Sequence, residues 1–240
     1  MQQVTVMQAD WQTEVDAAAV ADVACRLIGI AARDAIAERG RFRLVLAGGS
    51  TPMATYQRLA ASDQNWKRWI LYYGDERCVP PDDPQRNSRA VIATGLAEKV
   101  GKHFPIPAEL GAKTAATEYR ARIKPAMPFD MVLLGMGEDG HTASLFPGHD
   151  WPDKTVFAVK NSPKPPAERV TLGVKALQNC RSMLILVTGE HKARAVQQWR
   201  AGADLPVARV GDIGQALVVV ERKCLELAAD QSGSCAVPLE

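Results

Sequence analysis

Two carboxylates, an imidazole and two hydroxyls fall within the eight residues Gly137-Glu138-Asp139-Gly140-His141-Thr142-Ala143-Ser144. This stretch directly follows the apolar run Phe129-Asp130-Met131-Val132-Leu133-Leu134-Gly135. A neutral imidazole can take a proton from water at physiological pH, and a neighbouring carboxylate can orient the ring and keep it basic. His141 is therefore a candidate general base, with Asp139 as its orienting group and Glu138 beside it. A histidine on a turn also serves as a plain hydrogen-bonded loop residue, and the residues alone leave both roles open.

Three other stretches share the pattern of an apolar run ending in glycine or an acid: Leu46-Ala47-Gly48-Gly49-Ser50-Thr51, Tyr73-Gly74-Asp75-Glu76-Arg77 and Val187-Thr188-Gly189-Glu190-His191-Lys192. In a parallel sheet such ends lie on one edge, where open α/β folds bind their ligands. Gly48-Gly49-Ser50-Thr51, with Pro52 suited to a first helical turn, reads as an anion cradle of backbone N–H groups and hydroxyls. It reads equally as a tight strand-to-helix turn capped by Ser50 or Thr51. Lys192 and Arg169 supply cations that favour the cradle. Asp75-Glu76-Arg77 is either part of the same edge or a local salt-bridge cluster.

Several chemistries are disfavoured. Gly135-Met136-Gly137-Glu138-Asp139-Gly140 matches G-x-G-x-x-G, but Glu138 and Asp139 would set two negative charges beside a pyrophosphate, and Pro147 cuts short the following helix. The G-x-x-x-x-G-K-[ST] pattern is missing from the Gly48 turn. No H-E-x-x-H or G-x-S-x-G occurs, and His103, His149 and His191 lack metal-ligand spacing. Ser50 and Ser144 have no marked base beside them.

The elements that must position these groups alternate between strand and helix. Strands are expected at residues 4–7, 42–47, 69–73, 129–134, 156–159, 169–172, 183–187 and 217–220. Helices are expected at 13–39, from 52 to about 61, 87–98, 114–123 and 189–199, with a last helix after residue 220. This alternation predicts an α/β fold with a largely parallel sheet and helices on both faces. The 240 residues contain no long linker, which favours a single domain over residues 1–240.

The formal net charge is +2 with no basic run, so neither nucleic acid nor a membrane is an expected partner. No stretch reaches the roughly 18 apolar residues of a membrane span, and the first residues lack a signal-peptide pattern. Five scattered cysteines with no C-x-x-C pair read as reduced thiols. A cytoplasmic chain is expected.

Taken in order, five blocks of this sequence resemble the 6-phosphogluconolactonase family, within the wider glucosamine-6-phosphate isomerase/lactonase group. They are Ala47-Gly48-Gly49-Ser50-Thr51-Pro52, Gly74-Asp75-Glu76-Arg77-Cys78-Val79-Pro80, residues 135–148, residues 162–171 beginning Ser162-Pro163-Lys164-Pro165-Pro166, and Val187-Thr188-Gly189-Glu190-His191-Lys192. Asp139-Gly140-His141-Thr142-Ala143-Ser144-Leu145-Phe146-Pro147-Gly148 is the most specific of them. The resemblance implies a single-domain modified Rossmann-like fold and hydrolysis of 6-phospho-D-glucono-1,5-lactone to 6-phosphogluconate, with no cofactor and no essential metal. It implies His141 as the water-activating base with Asp139 and Asp75 in the catalytic set. Gly48, Gly49, Ser50, Thr51, Arg77, Asn87, Arg169 and Lys192 would then bind the substrate and its phosphate. The partner would be the small sugar-phosphate lactone, and the chain a monomer or weak homo-oligomer.

Two positions depart from the family pattern: Arg86 stands where a small serine is usual, and Leu172-Gly173-Val174 stands where another hydroxyl is expected. One rival is an isomerase of the glucosamine-6-phosphate deaminase type, which carries an Asn-Glu-Pro element after the shared turn, where this chain has Ser144-Leu145-Phe146-Pro147. The other is a sugar-phosphate sensing module, whose helix-turn-helix domain has no room ahead of a strand starting near residue 4.

Overall fold

The structure, a computed structural model, describes residues 9–226. The strand expected at residues 4–7 and most of the stretch expected to form the last helix lie outside them. The first described strand is β1, Asp10–Glu14. It is followed by α1, Ala17–Arg39, then β2, Phe42–Leu46, α2, Ser50–Ala61, β3, Trp69–Tyr73, and the short β4, Asp75–Arg77. Next come α3, Asn87–Ala93, α4, Leu96–Lys99, β5, Lys102–His103, α5, Ala112–Ile123, and β6, Phe129–Gly135. The remainder is β7, Val156–Val159, β8, Arg169–Leu172, α6, Val174–Gln178, β9, Cys180–Val187, α7, Ala193–Arg200, α8, Pro206–Gly211, and β10, Ala216–Glu221.

Helix α1 starts later than the sequence pattern suggested, because Thr13 belongs to β1 and pairs with β10. Asp16 sets the start by accepting the Ala19 N–H at 2.8 Å. Gly40, with φ +72°, ends the helix by donating to the Ile36 carbonyl. Val20, Ala24, Ile28, Ala32 and Ala35 form its buried stripe, at a spacing that keeps one face on the core. The helix expected over residues 87–98 is broken by Gly95, whose φ of +76° is left-handed. At residues 189–199 the first turn is a 3-10 turn, Glu190–Lys192, before α7 begins.

Seven strands form one wholly parallel sheet in the order β1-β10-β9-β6-β2-β3-β5. Its centre is β6, where Phe129, Val132, Leu133 and Leu134 are buried. Each such side chain contributes about 1.5–3 kcal/mol of burial free energy. The chain runs outward from β2 through β3 to β5, then returns to β6 on the other side of β2 and continues through β9 to β10. Crossovers therefore diverge between β2 and β6, and a crevice opens at the carboxyl ends of these two strands.

The expectation of a largely parallel α/β sheet holds. β7 and β8, however, belong with β4 to a separate three-stranded antiparallel sheet, in the order β4-β8-β7. In its register Asp75 faces Thr171 and Arg77 faces Arg169. This sheet brings residues nearly a hundred positions apart to the rim of the crevice.

Two buried tyrosines fix that rim. The Tyr56 hydroxyl accepts the Ala47 N–H at 2.9 Å and donates to the Ala47 carbonyl at 3.0 Å, just past the end of β2. Tyr119 makes the same pair of bonds to Tyr73, at 2.6 and 3.1 Å, at the end of β3. Burial raises both phenols well above their usual range, so they remain neutral donors at any physiological pH. Among the described residues no helix is long and apolar enough to cross a membrane.

Candidate active site

A cleft of about 240 Å³ occupies the switch point. Gly48, Gly49, Ser50 and Thr51 line it from the start of α2, Asp75, Arg77 and Asn87 from the small sheet and α3, and His141, Arg169 and Lys192 from the other rims. Asp139 does not line it and reaches it only through His141. All four strand ends singled out by their composition thus converge.

His141 is set by the tight turn after β6. The Gly137 N–H donates to the His141 carbonyl at 2.8 Å, the Gly140 N–H to the Gly137 carbonyl at 3.0 Å, and the Thr142 hydroxyl to the Gly135 carbonyl at 2.8 Å. The ring stacks at a tilt on Phe146, centroids 4.8 Å apart, with its side chain 17% exposed. Its Nδ1 is hydrogen-bonded to Asp139 Oδ1, which also accepts the His141 backbone N–H at 3.2 Å. Burial alone would raise the Asp139 carboxyl, but the hydrogen bonds and charge of His141, with the charge of Lys164, hold it well below the usual carboxylate range. An ionised carboxylate only accepts, so Nδ1 carries the proton and Nε2 is left as the basic nitrogen. Gly137 makes the arrangement possible by close approach: a Cβ there would overlap the imidazole and the Asp139 carboxylate.

Ala143, between Thr142 and Ser144, lines the cleft with φ +47°. A left-handed alanine costs roughly 1–2 kcal/mol. The bend it creates places the Ser144 N–H on Thr171 Oγ1 at 3.2 Å and the Ser144 hydroxyl on Asp75 Oδ2 at 2.6 Å. The serine is thereby a buried link rather than a free nucleophile.

Asp75, Glu76 and Arg77 make no salt bridge with one another among the described residues; Glu76 instead pairs with the buried Arg86, Nε to Oε2 3.6 Å. Asp75 accepts from Ser144 and from the Asn87 amide, 3.2 Å to its Oδ1. Glu76 is fully buried and accepts three backbone N–H groups, from Arg77, Asn87 and Ser88, at 2.7–2.8 Å. It completes the N-terminus of α3, where negative charge is favourable. Burial raises its carboxyl and those three N–H bonds oppose the rise. The Asn87 amide lies so close to Gly48 that a Cβ on Gly48 would overlap it. Arg86, the unusual neighbour of Asn87, is buried and donates to the Val79 and Ile106 carbonyls and to Glu109, a structural role behind the loop.

The cationic wall is built from Arg77, Arg169 and Lys192. Like charges directly opposite one another across antiparallel strands are ordinarily unfavourable, and Arg77 faces Arg169 in this way with both lining the cleft. Arg169 donates through Nη2 to the Lys164 and Pro165 carbonyls, both at 3.0 Å, and through Nε to Pro166 O at 3.3 Å. Burial lowers its pKa, and Asp75 opposes that effect. Burial likewise lowers Lys192, against the pull of Glu138 at 3.5 Å.

At the start of α2 the N-cap is Gly49 with φ +106°, and no side chain caps the helix, contrary to the capping alternative for Ser50 or Thr51. Pro52 has no N–H, and the first helical bond runs from Met53 to Gly49 at 3.1 Å. The Ser50 and Thr51 N–H groups have no acceptor among the described residues, so they are available to an anion. The Thr51 hydroxyl bonds that of Thr188, tying this turn to the end of β9.

Thr188, Ala143 and His191 also line the cleft; they fall in stretches marked by the sequence, but none was named as a site residue. His191 was set aside for lacking metal-ligand spacing. Its place beside Lys192 at a strand end was the available signal.

Glu138 carries a pH signature. Its hydrogen bond from Lys164 lowers its pKa from 4.5 to about 2. A depressed carboxylate contributes stability that is complete above its unfolded pKa and is lost as pH falls through the folded value. The stability difference between wild type and Glu138→Gln should therefore be small, because the pair is largely exposed, constant above pH 4.5 and gone by about pH 2. Urea unfolding across that range checks it. A difference that grows on acidification would contradict the pairing.

Comparison with known proteins identifies the relatives of this chain. The family described as glucosamine-6-phosphate isomerases/6-phosphogluconolactonase matches residues 15–219. The 6-phosphogluconolactonase of Mycobacterium leprae is 38% identical over 191 residues, 71% of this chain and 77% of that protein. A probable chloroplastic 6-phosphogluconolactonase of Oryza sativa subsp. indica is 36% identical over 187 residues, and the match spans 57% of that longer relative. The crystal structure of a 6-phosphogluconolactonase from Thermotoga maritima superposes with a TM-score of 0.82 at 28% identity, covering 90% of this chain and all of that one. The chain belongs to the glucosamine-6-phosphate isomerase/6-phosphogluconolactonase family.

Proposed function

We propose that this chain hydrolyses 6-phospho-D-glucono-1,5-lactone to 6-phosphogluconate, a step of the oxidative pentose phosphate pathway, by His141-activated attack of water on the lactone carbonyl. The observation that carries the proposal is one cleft holding a carboxylate-oriented imidazole together with Arg77, Arg169, Lys192 and the open N-terminus of α2. A δ-lactone is an activated ester, so water and a base suffice. Nε2 of His141 takes a proton as the water oxygen bonds to C1. The tetrahedral oxyanion collapses, the C1–O5 bond breaks, and the imidazolium returns the proton to O5. Donors from the His141 turn or Arg77 would stabilise the oxyanion. The phosphate, held at the far end, fixes C1 against the base, so that remote binding energy is converted into orientation.

The isomerase alternative requires a further carboxylate near His141. In its place Phe146 is buried against the ring, and Ser144 is engaged by Asp75. We also place the chain in the cytoplasm, acting on a small molecule as a monomer or weak homo-oligomer.

The test is a coupled assay in which glucose-6-phosphate dehydrogenase generates the lactone and its loss is followed with and without this protein. Acceleration over spontaneous hydrolysis supports the activity. Ammonia release from glucosamine 6-phosphate, without lactone turnover, would replace it with the isomerase. Binding without turnover of either would support a sensing role. Arg169→Ala and Lys192→Ala should each raise KM about tenfold, the loss of one charge-assisted hydrogen bond, with a smaller effect on kcat. An unchanged KM in both variants would remove the phosphate site as drawn.

A further inference from the structure

Lys164 sits on the proline-rich loop between β7 and β8, does not line the cleft, and has no part in the reaction described above. The loop is wound around Arg169. The Ser162 N–H closes it on the Ala167 carbonyl at 2.9 Å, and the Ser162 hydroxyl donates to the Lys164 carbonyl at 2.8 Å. That carbonyl also accepts from Arg169 Nη2 at 3.0 Å. The backbone of Lys164 thus holds the guanidinium of the anion anchor. Its ammonium reaches the other way, to the turn after β6, where Nζ lies 2.5 Å from Glu138 Oε1 and 3.8 Å from Asp139 Oδ1.

We propose that Lys164 is a positioning residue that straps the Arg169 loop to the His141 turn, so that the anion anchor and the base keep a fixed separation. This rests on the lactonase reading of the cleft. The Lys164 and Glu138 side chains are 31% and 55% exposed, and exposed ion pairs add little to global stability. The value of the strap is therefore geometric. Its ammonium also faces the carboxylate that orients His141, and Lys192 approaches the same Glu138 from the cleft side at 3.5 Å. Misplacing a reacting group by a fraction of an ångström is costly when the reaction depends on orientation.

The test uses the full chain with Lys164→Ala, Lys164→Met and Lys164→Arg, measuring kcat and KM in the coupled assay together with the melting temperature. Alanine and methionine should each lower kcat about fivefold at an unchanged melting temperature, and arginine should recover the wild-type kcat to within about twofold. Wild-type kcat in the alanine variant overturns the proposal, as does methionine recovering activity as well as arginine, since packing of the stem rather than the charge would then suffice. If wild type itself fails to accelerate lactone loss, the functional reading fails first, which separates the two outcomes.

Discussion

Replacing His141 with alanine should lower kcat for the lactone by about 10²–10⁴-fold, the range that a positioned general base contributes. This corresponds to about 2.7–5.4 kcal/mol of transition-state stabilisation. The ring makes its hydrogen bond to Asp139 and packs on Phe146, while the cationic wall is built from other elements. Affinity for 6-phosphogluconate should therefore change little. Titration calorimetry with the product, beside net turnover after subtraction of spontaneous hydrolysis, separates the two effects. Full turnover in the variant would take the imidazole out of the mechanism. Loss of product binding would mean that His141 holds the ligand rather than activating water.

Gly137→Ala should be nearly as damaging, about 10²-fold in kcat, although it adds a single methyl. Gly137 is not among the residues with positive φ, so alanine is acceptable there as backbone. The conflict is spatial: the new Cβ would overlap Nδ1 and Cε1 of His141 and the carboxylate of Asp139. The ring must then leave its bond to Asp139 or the turn must open. Gly135→Ala is the control, because a Cβ there meets nothing closer than the Gly48 carbonyl at 3.9 Å. We expect the Gly135 variant to stay within about threefold of wild type. Equal activity in the two variants would show that the turn tolerates displacement of the ring.

These two glycines also explain what the sequence could and could not disclose. The pattern G-x-G-x-x-G suggests a phosphate turn, and the adjacent carboxylates argue against it. That Gly137 instead makes room for an imidazole depends on the ring folding back over its own turn, which no linear pattern encodes. The parallel strands β2, β3, β6, β9 and β10 were legible because buried strands read as continuous apolar runs, whereas β1 and the two-residue β5 are largely exposed and carry no such run. The small antiparallel sheet was not legible in the same way. Asp75–Arg77 is three residues long, and its partner Arg169–Leu172 lies far along the chain. The facing of Arg77 and Arg169, which marks the cationic wall, therefore emerged only with the register. Residues 13 and 14 extend the helical pattern, yet pairing with β10 draws them into β1 and leaves Asp16 to cap the helix. Asp139 was picked out by adjacency alone, and the structure bonds it to His141 Nδ1. Ser144 could be placed on Asp75 only once β4 was known to lie beside the His141 turn.

The most direct measurement is a crystal structure of the His141→Ala or wild-type protein with 6-phosphogluconate bound. The account requires the phosphate to sit on the Ser50 and Thr51 N–H groups and the Arg169 and Lys192 side chains. It also requires C1 to lie within one water molecule, about 3–4 Å, of the position of His141 Nε2. A product molecule bound in the reverse sense, with its phosphate at His141 and C1 at the start of α2, would contradict it.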